Sequence, residues 1–445
     1  MAYAPQIIFI IIFGVTVFYV TKRIREIRKN ILLGREVELT GSRSERFKTM
    51  VLFALGQKKM FHKPLPAILH LFVYIGFIVI NIEMIEIILD GFFGTHRVFA
   101  TGLGNVYPFF INVFELLAVS VIIGCVIFLI RRNILGLRRF KGEEMRRWPT
   151  LDANLILTAE ILLMLAFLTM NSTDVVLQQR GAEHYVQTGS FFFSGLLVDF
   201  FTNFSNATLI AIERFAWWFH IIGIFAFSMY IFYDSKHLHI FFAFPNTWYS
   251  KLTPTGKFSN MPEVTKEVKL MLGVPEEAPA ESTEEAPPGR FGAKDVQDLT
   301  WKNILDAYSC TECGRCTASC PANMTGKKLS PRKIMMDTRD RAEEIGRNIK
   351  TKGTDKANEG AALLDGYITS EELMACTTCQ ACVEACPVNI DPLDIIMQLR
   401  RYKAMEESST PAAWNAMFSN VETNFAPWKF APSDRFKWAE KIKNN

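Results

Sequence analysis

The chain has 445 residues, 49% of them hydrophobic and 21% charged, with 37 phenylalanines and a formal charge of +4. It is too apolar for a plain soluble electron carrier and too charged for a protein lying wholly in a bilayer, so two unlike parts are expected. The small positive balance is a matter of membrane topology and points to no nucleic-acid site.

Apolar stretches near residues 5–21, 65–89, 108–130, 153–171 and 209–233 suit the roughly 20 residues that cross a bilayer, which predicts five spans. The first is read as an anchor, because Met1 to Gln6 carries no basic residue and no small-x-small cleavage site precedes Lys22 and Arg23. The run from Phe191 to Phe204, broken by Asp199 and Asn203, suits an interfacial or re-entrant segment. Basic residues crowd the first connection (Lys22, Arg23, Arg25, Arg28) and the third (Arg131, Arg132, Arg138, Arg139), whereas residues 91–106 hold only Arg97 and 172–205 only Arg180. By the positive-inside rule the N-terminus lies outside and everything after span five is cytoplasmic.

His70 falls in span two, His220 in span five, and His237 and His239 at the cytoplasmic end of that span. An ionisable side chain in hydrocarbon is costly, and imidazole is the usual axial ligand of a b-type haem; the plain alternative is a hydrogen-bonded core histidine. On one continuous helix His220 and His239 would be about 28 Å apart, so they serve different levels. His70 matches the depth of His237 or His239, only one of which could face a given haem if the helix persists. Glu83, Glu86, Glu115, Glu213 and Arg214 gather towards the outer leaflet, near the level of His220. They mark either a quinone or proton site or an ion-pair set that anchors helix ends. Glu160, in the cytoplasmic half of span four, has no clear reading.

Residues 1–245 are thus expected to be a transmembrane haem b and quinone domain. Residues 246–298 follow as an amphipathic and acidic linker, mobile over the Pro- and Glu-rich stretch 275–289. Cys310, Cys313, Cys316 and Cys320 before Pro321, then Cys376, Cys379, Cys382 and Cys386 before Pro387, spell C-x2-C-x2-C-x3-C-P twice. This is the ligand set of two [4Fe–4S] clusters in which each run lends its fourth cysteine to the other. The sets are then Cys310, Cys313, Cys316 and Cys386, and Cys376, Cys379, Cys382 and Cys320. Paired zinc ribbons would have no use for the fourth cysteine with its proline. Disulfides do not suit a reducing compartment, and the remaining Cys125 is a packing residue.

Neither half of this region alternates apolar and polar residues, so residues 299–403 read as an all-helical dicluster domain. Its helices are expected over 330–349 and 391–402, with a surface insertion at 350–360. The tail, 404–445, offers Trp414, Phe418, Phe425, Trp428, Phe430, Phe436 and Trp438 with little sign of a helix long enough to bury them, and reads either as a docking segment or as a tail that wraps back on its own cluster domain. The fold class is all-α: a five-span bundle followed by a cytoplasmic helical two-cluster, ferredoxin-like domain.

Phe215-Ala216-Trp217-Trp218-Phe219-His220, continuing to Ser235-Lys236-His237-Leu238-His239, with His70 ahead of Gly76-Phe77, resembles the haem-binding membrane subunit of respiratory nitrate reductase and of heterodisulfide reductase. The soluble part resembles the small iron–sulfur subunit of heterodisulfide reductase. Cys310-Thr311-Glu312-Cys313-Gly314-Arg315-Cys316, Gly326-Lys327-Lys328-Leu329-Ser330-Pro331-Arg332-Lys333 and Arg400-Arg401-Tyr402 are similar to the membrane-bound electron-transfer-flavoprotein:menaquinone oxidoreductase group. This resemblance implies one or two b haems, with His239 favoured as a ligand, and menaquinone as the membrane substrate. It further implies a bacterial inner membrane, an electron-transfer flavoprotein as a possible partner, and cysteine-rich CCG modules, expected here on a separate polypeptide. Where the nitrate-reductase-like subunit has a second histidine ten residues after the first, this chain has Ile80; His62 is a substitute only at the membrane surface. The expected function is passage of electrons between a CCG-type or flavoprotein partner, the clusters, haem and quinone. The alternatives are quinol oxidation towards a disulfide-type acceptor and a membrane anchor whose clusters are structural.

Overall fold

The computed structural model describes residues 3–254, 256–274 and 290–443, so the acidic linker stretch 275–289 lies outside the described residues. Five helices are long and apolar enough to cross a membrane. They are α1 (Ala4–Ile31), α2 (Pro64–Phe93), α3 (Tyr107–Leu129), α4 (Trp148–Gln179) and α5 (Asn206–Asp234). Each covers one expected span, the third to within one residue. Proline stands in the first turn of α1 to α4, where its missing N–H would have had no intrahelical acceptor. α5 starts on Ser205, whose hydroxyl accepts from the Thr208 N–H. Residues 191–204 form only two single turns, Phe192–Gly195 and Val198–Phe201, too short to cross.

Within the bundle α4 runs along α5, α3 bridges α2 and α4, and α1 lies on α5 and α2. Phe9 of α1 meets Phe92, Trp217 and Phe225 over a core that includes Ile111, Ala118, Phe167 and Ile221. A methyl group on Gly76 would lie 2.5 Å from the Val121 side chain, so glycine permits the close crossing of α2 and α3. Ile11, Phe18, Ile82, Ile123 and Phe219 remain exposed on the bundle surface, which suits lipid as solvent. The chain is a membrane protein.

The helix that carries His220 does not persist to His239. It ends at Asp234, Ser235 is extended (φ −112°, ψ 141°), and a single turn over Lys236–Leu238 leads into α6 (His239–Trp248). The Ser235 hydroxyl accepts from the His237 N–H and so starts the new turn. Asn246 and Thr247 of α6 are fully buried, and α6 packs on α7 (Trp301–Ser309) of the C-terminal part.

That part continues through α8 (Arg315–Ser319), α9 (Pro331–Lys352), α10 (Ala381–Ala385) and α11 (Pro392–Met405). Among the described residues its only β features are the isolated bridges Arg35–Thr300 and Leu364–Ile368, so the fold is all-α. The stretch after α9 is partly tied down, because the Asn348 amide donates to the carbonyls of Ala357 and Glu359. The C-terminal part sits on the end of the bundle where α1 and α5 finish. Arg23 pairs with Glu343 at 2.8 Å, Asn30 donates to the Tyr308 hydroxyl at 3.0 Å, and Arg332 reaches Glu144 at 2.6 Å. At the opposite end the start of α1 meets the end of α2, where Phe9 fills the space over Gly91. In the tail a helix, α12 (Ala412–Asn424), does form, helped by the helix-favouring Ala412, Ala413 and Ala416. Trp414 lies under Arg400, but Phe418, Phe425, Trp428, Phe430, Phe436 and Trp438 are exposed.

Candidate functional site

The two cysteine runs adopt one backbone shape twice. Glu312 and Thr378 have φ of 52° and 56°, and Gly314 and Gln380 have 70° and 63°. Cys320 and Cys386 share nearly the same extended conformation, each just ahead of its proline. These bends turn backbone N–H groups towards sulfur: Glu312 N–H donates to Cys310 Sγ and Thr378 N–H to Cys376 Sγ, both at 3.4 Å. α8 and α10 pack against each other, which carries the end of each run to the start of the other. Cys310, Cys313, Cys316 and Cys386 consequently line one cavity, together with Arg315 and Arg332. Cys320 lies with Cys376 and Cys382, and Cys379 adjoins Cys376. Burial pushes the Cys310 and Cys386 thiols up to about 12. Among the described residues no three His, Cys, Asp or Glu side chains converge on a point fit for a single metal ion. Four thiols spread around a cavity fit a cluster better.

The histidines divide into a group and a single. His70 and His239 have ring centres 6.4 Å apart, and His237 lies 5.4 Å from His239. The break at Ser235 brings both His237 and His239 to this group, in place of the one that a continuous helix would allow. His70 Nδ1 pairs with Gln57 Oε1 at 3.1 Å and His239 Nδ1 with the Lys236 carbonyl at 3.2 Å. Such bonds leave Nε2 for a ligand and orient the ring. With Nδ1 of both rings engaged, His70 and His239 would be the residues to hold the iron of a haem, which when bound would supply one-electron transfer. Burial, with His239 and His70 beside it, holds the His237 ring down at about 3, so it is neutral at ordinary pH. His220 stands elsewhere, with Nδ1 2.9 Å from the Leu163 carbonyl and Phe167 as its aromatic neighbour. His62 is exposed.

These two groups are clamped together. Lys236, whose carbonyl accepts from His239, forms an ion pair at 2.8 Å with Glu312 of the first cysteine loop. Arg315 of the same loop donates to the carbonyls of Lys59 and Met60, just after Gln57. Against its burial, which would raise it, Arg339 and Lys236 hold Glu312 below the usual carboxylate range.

At the far end of the bundle Glu83, Glu86, Glu213 and Arg214 line one small cavity. Glu115 does not line it; it accepts from Asn171 and from the N–H groups of Phe193 and Ser194, and so secures the interfacial segment. Glu86 accepts from Tyr107 at 2.8 Å, and Glu213 pairs with Arg214 and accepts from Tyr185. The sequence reading missed the residue at the centre of this group. Arg97, 6% exposed, pairs with Asp174 and donates to Asn171 and Tyr107, while its own N–H is held by Asp90. A lone arginine in a connection otherwise without lysine or arginine was the signal available. Gln57 carried none.

A family model described as a 4Fe-4S dicluster domain matches residues 309–390. A Bacillus subtilis protein named "Probable iron-sulfur-binding oxidoreductase FadF" is 27% identical over 98% of this chain and 61% of its own length. The EtfAB:quinone oxidoreductase of Syntrophomonas wolfei is 24% identical over 92% of this chain and 56% of its own. One component of the ferredoxin/F(420)H(2)-dependent CoB-CoM heterodisulfide reductase of Methanosarcina acetivorans is 36% identical over 24% of this chain and 52% of its own. The chain thus spans 56–61% of the length of the first two relatives. No solved structure matches it. Five candidate spans joined to a 4Fe–4S dicluster domain, with iron–sulfur oxidoreductases as relatives, give this chain a role in electron transfer at a membrane.

Proposed function

We propose that the chain is the membrane-bound electron-transfer subunit of a quinone-linked oxidoreductase, carrying electrons between a cytoplasmic partner and the menaquinone pool. The observation that carries this reading is the double clamp between the first cysteine loop and the supports of the histidine pair, Glu312 to Lys236 and Arg315 to the segment after Gln57. A structural cluster would need no such tie to half-buried imidazoles. Cys310, Cys313, Cys316 and Cys386 would hold one [4Fe–4S] cluster and Cys376, Cys379, Cys382 and Cys320 the other, with His70 and His239 holding a b-type haem. These groups, when bound, supply one-electron transfer. The chain's own part is to fix their spacing and bury them.

The orientation follows from the basic connections: the cluster domain faces the cytoplasm of a bacterium and the Glu83 end faces outside. The printed name of the Syntrophomonas relative, EtfAB:quinone oxidoreductase, supports an electron-transfer flavoprotein as partner, while a CCG-type iron–sulfur protein rests on the resemblance of the sequence motifs alone. Quinone would react at the Glu83 end of the bundle. Purified protein should contain about nine irons per chain, about eight in the clusters and one in a b haem. Reduced enzymatically or by dithionite, it should pass electrons to a menaquinone analogue. Clusters that never change oxidation state in a redox titration would sink this reading in favour of a structural anchor.

A further inference from the structure

We infer that the cavity at the far end of the bundle is a water-filled proton entry, running from His184 through His96 to Glu83, which exchanges protons between the outer aqueous face and the quinone reaction. This rests on the quinone reading above and adds a route to it. The cavity is about 20 Å³, room for about one water molecule and far too small for a quinone ring. Three buried polar atoms on the residues that line it have no protein partner: Glu83 Oε2, His96 Nδ1 and Asp174 Oδ1. Glu83 is 3% exposed and Asp174 1%. Buried polar atoms are normally satisfied, so three orphans around a water-sized space call for an ordered water that bridges them.

The charges around the cavity separate Glu83 from its neighbours. Asp174 is neutralised by Arg97, and Glu213 by Arg214. Asp90 accepts from Thr95 and two backbone N–H groups, and Glu86 from Tyr107 and the Phe99 N–H. Glu83 Oε2 has none of these. It is the carboxylate left to take up and release a proton. His96 completes the path outward: Nε2 lies 3.5 Å from Asp174, which fixes the ring, and the exposed His184 ring stands 5.5 Å away. A proton entering at His184 passes to His96 and then through the cavity water to Glu83. Reduction of one quinone consumes two such protons and two electrons, the electrons coming from the flavoprotein or iron–sulfur donor; quinol oxidation runs the same hops backwards.

The test uses the full chain in sealed vesicles with a water-soluble menaquinone analogue, and variants Glu83→Gln and His96→Ala. Both should keep their cluster and haem spectra and their reduction by dithionite. Quinone turnover should fall about 100-fold, as for loss of a positioned proton carrier. Imidazole added on the outer side should restore the His96→Ala variant but not Glu83→Gln, a rescue that a packing role would not produce. Wild-type turnover in either variant, or a slow His96→Ala that imidazole leaves unchanged, overturns the route alone. A wild-type protein that holds its cofactors yet never reduces quinone overturns the quinone reading and the route with it. Redox-linked infrared spectra give a measure without quinone turnover: a protonated-carboxyl band present in wild type and absent in Glu83→Gln is expected, and no difference refutes the assignment.

Discussion

Replacing Gly346 by alanine adds one methyl group where α9 crosses α1. That methyl would lie 2.0 Å from the Asn30 side-chain oxygen, so the Asn30 amide must move. Asn30 is 6% exposed and donates to the Tyr308 hydroxyl, so moving it leaves a buried polar group unsatisfied, at about 1–3 kcal/mol. Alanine in a helix gains about 0.8–1 kcal/mol over glycine, which works the other way. The net effect is a loss of up to about 2 kcal/mol in the contact between cluster domain and bundle. In an Asn30→Ala background the clash vanishes, the helix gain alone remains, and the same substitution should stabilise. Hydrogen exchange of the α7 and α9 amides in the detergent-solubilised full chain reads both cases, since 2 kcal/mol corresponds to about 30-fold in an opening equilibrium. The four proteins form a double-mutant cycle with an expected coupling of about 1–3 kcal/mol. An equal effect of Gly346→Ala in both backgrounds would refute the proposed crossing.

Further outcomes follow from the same geometry. Cys320→Ser should damage the cluster held by Cys376, Cys379 and Cys382 and spare the other in paramagnetic resonance; loss of the first loop's cluster alone would contradict the crossed sets. His70→Ala and His239→Ala should remove the same haem component, which His220→Ala leaves in place, and unchanged haem content in the first two would end the assignment. Deleting the chain from Pro411, with its exposed aromatic residues, should abolish copurification of the cytoplasmic partner while cluster content stays whole. Glu144 is held below the usual carboxylate range, against burial that would raise it, by Arg332. Its contribution to docking is therefore complete above its ordinary value of 4.5 and fades as pH falls through the lower folded value, so Glu144→Gln should remove that acid-sensitive component from hydrogen-exchange profiles.

What the sequence determined by itself were the properties written in local spacing. The twice-repeated cysteine run, the five apolar stretches and the absence of alternating pattern depend on neighbours within a few residues, and the helices appear where those patterns lie. The aromatic tail was legible as exposed surface but not as helix, because its alanines favour helix without an apolar stripe to reveal it. Only the tertiary structure decided which distant groups meet. A serine at position 235 could continue a helix or cap a new one, and packing of α6 on the cluster domain selects the cap, which gathers His237 with His239 beside His70. Arg97 looked like a stray charge in a loop until α2, α3 and α4 closed around it and supplied Asp90, Tyr107, and Asn171 with Asp174. Charge pairing and burial are properties of space between chain segments, and no periodicity along the chain records them.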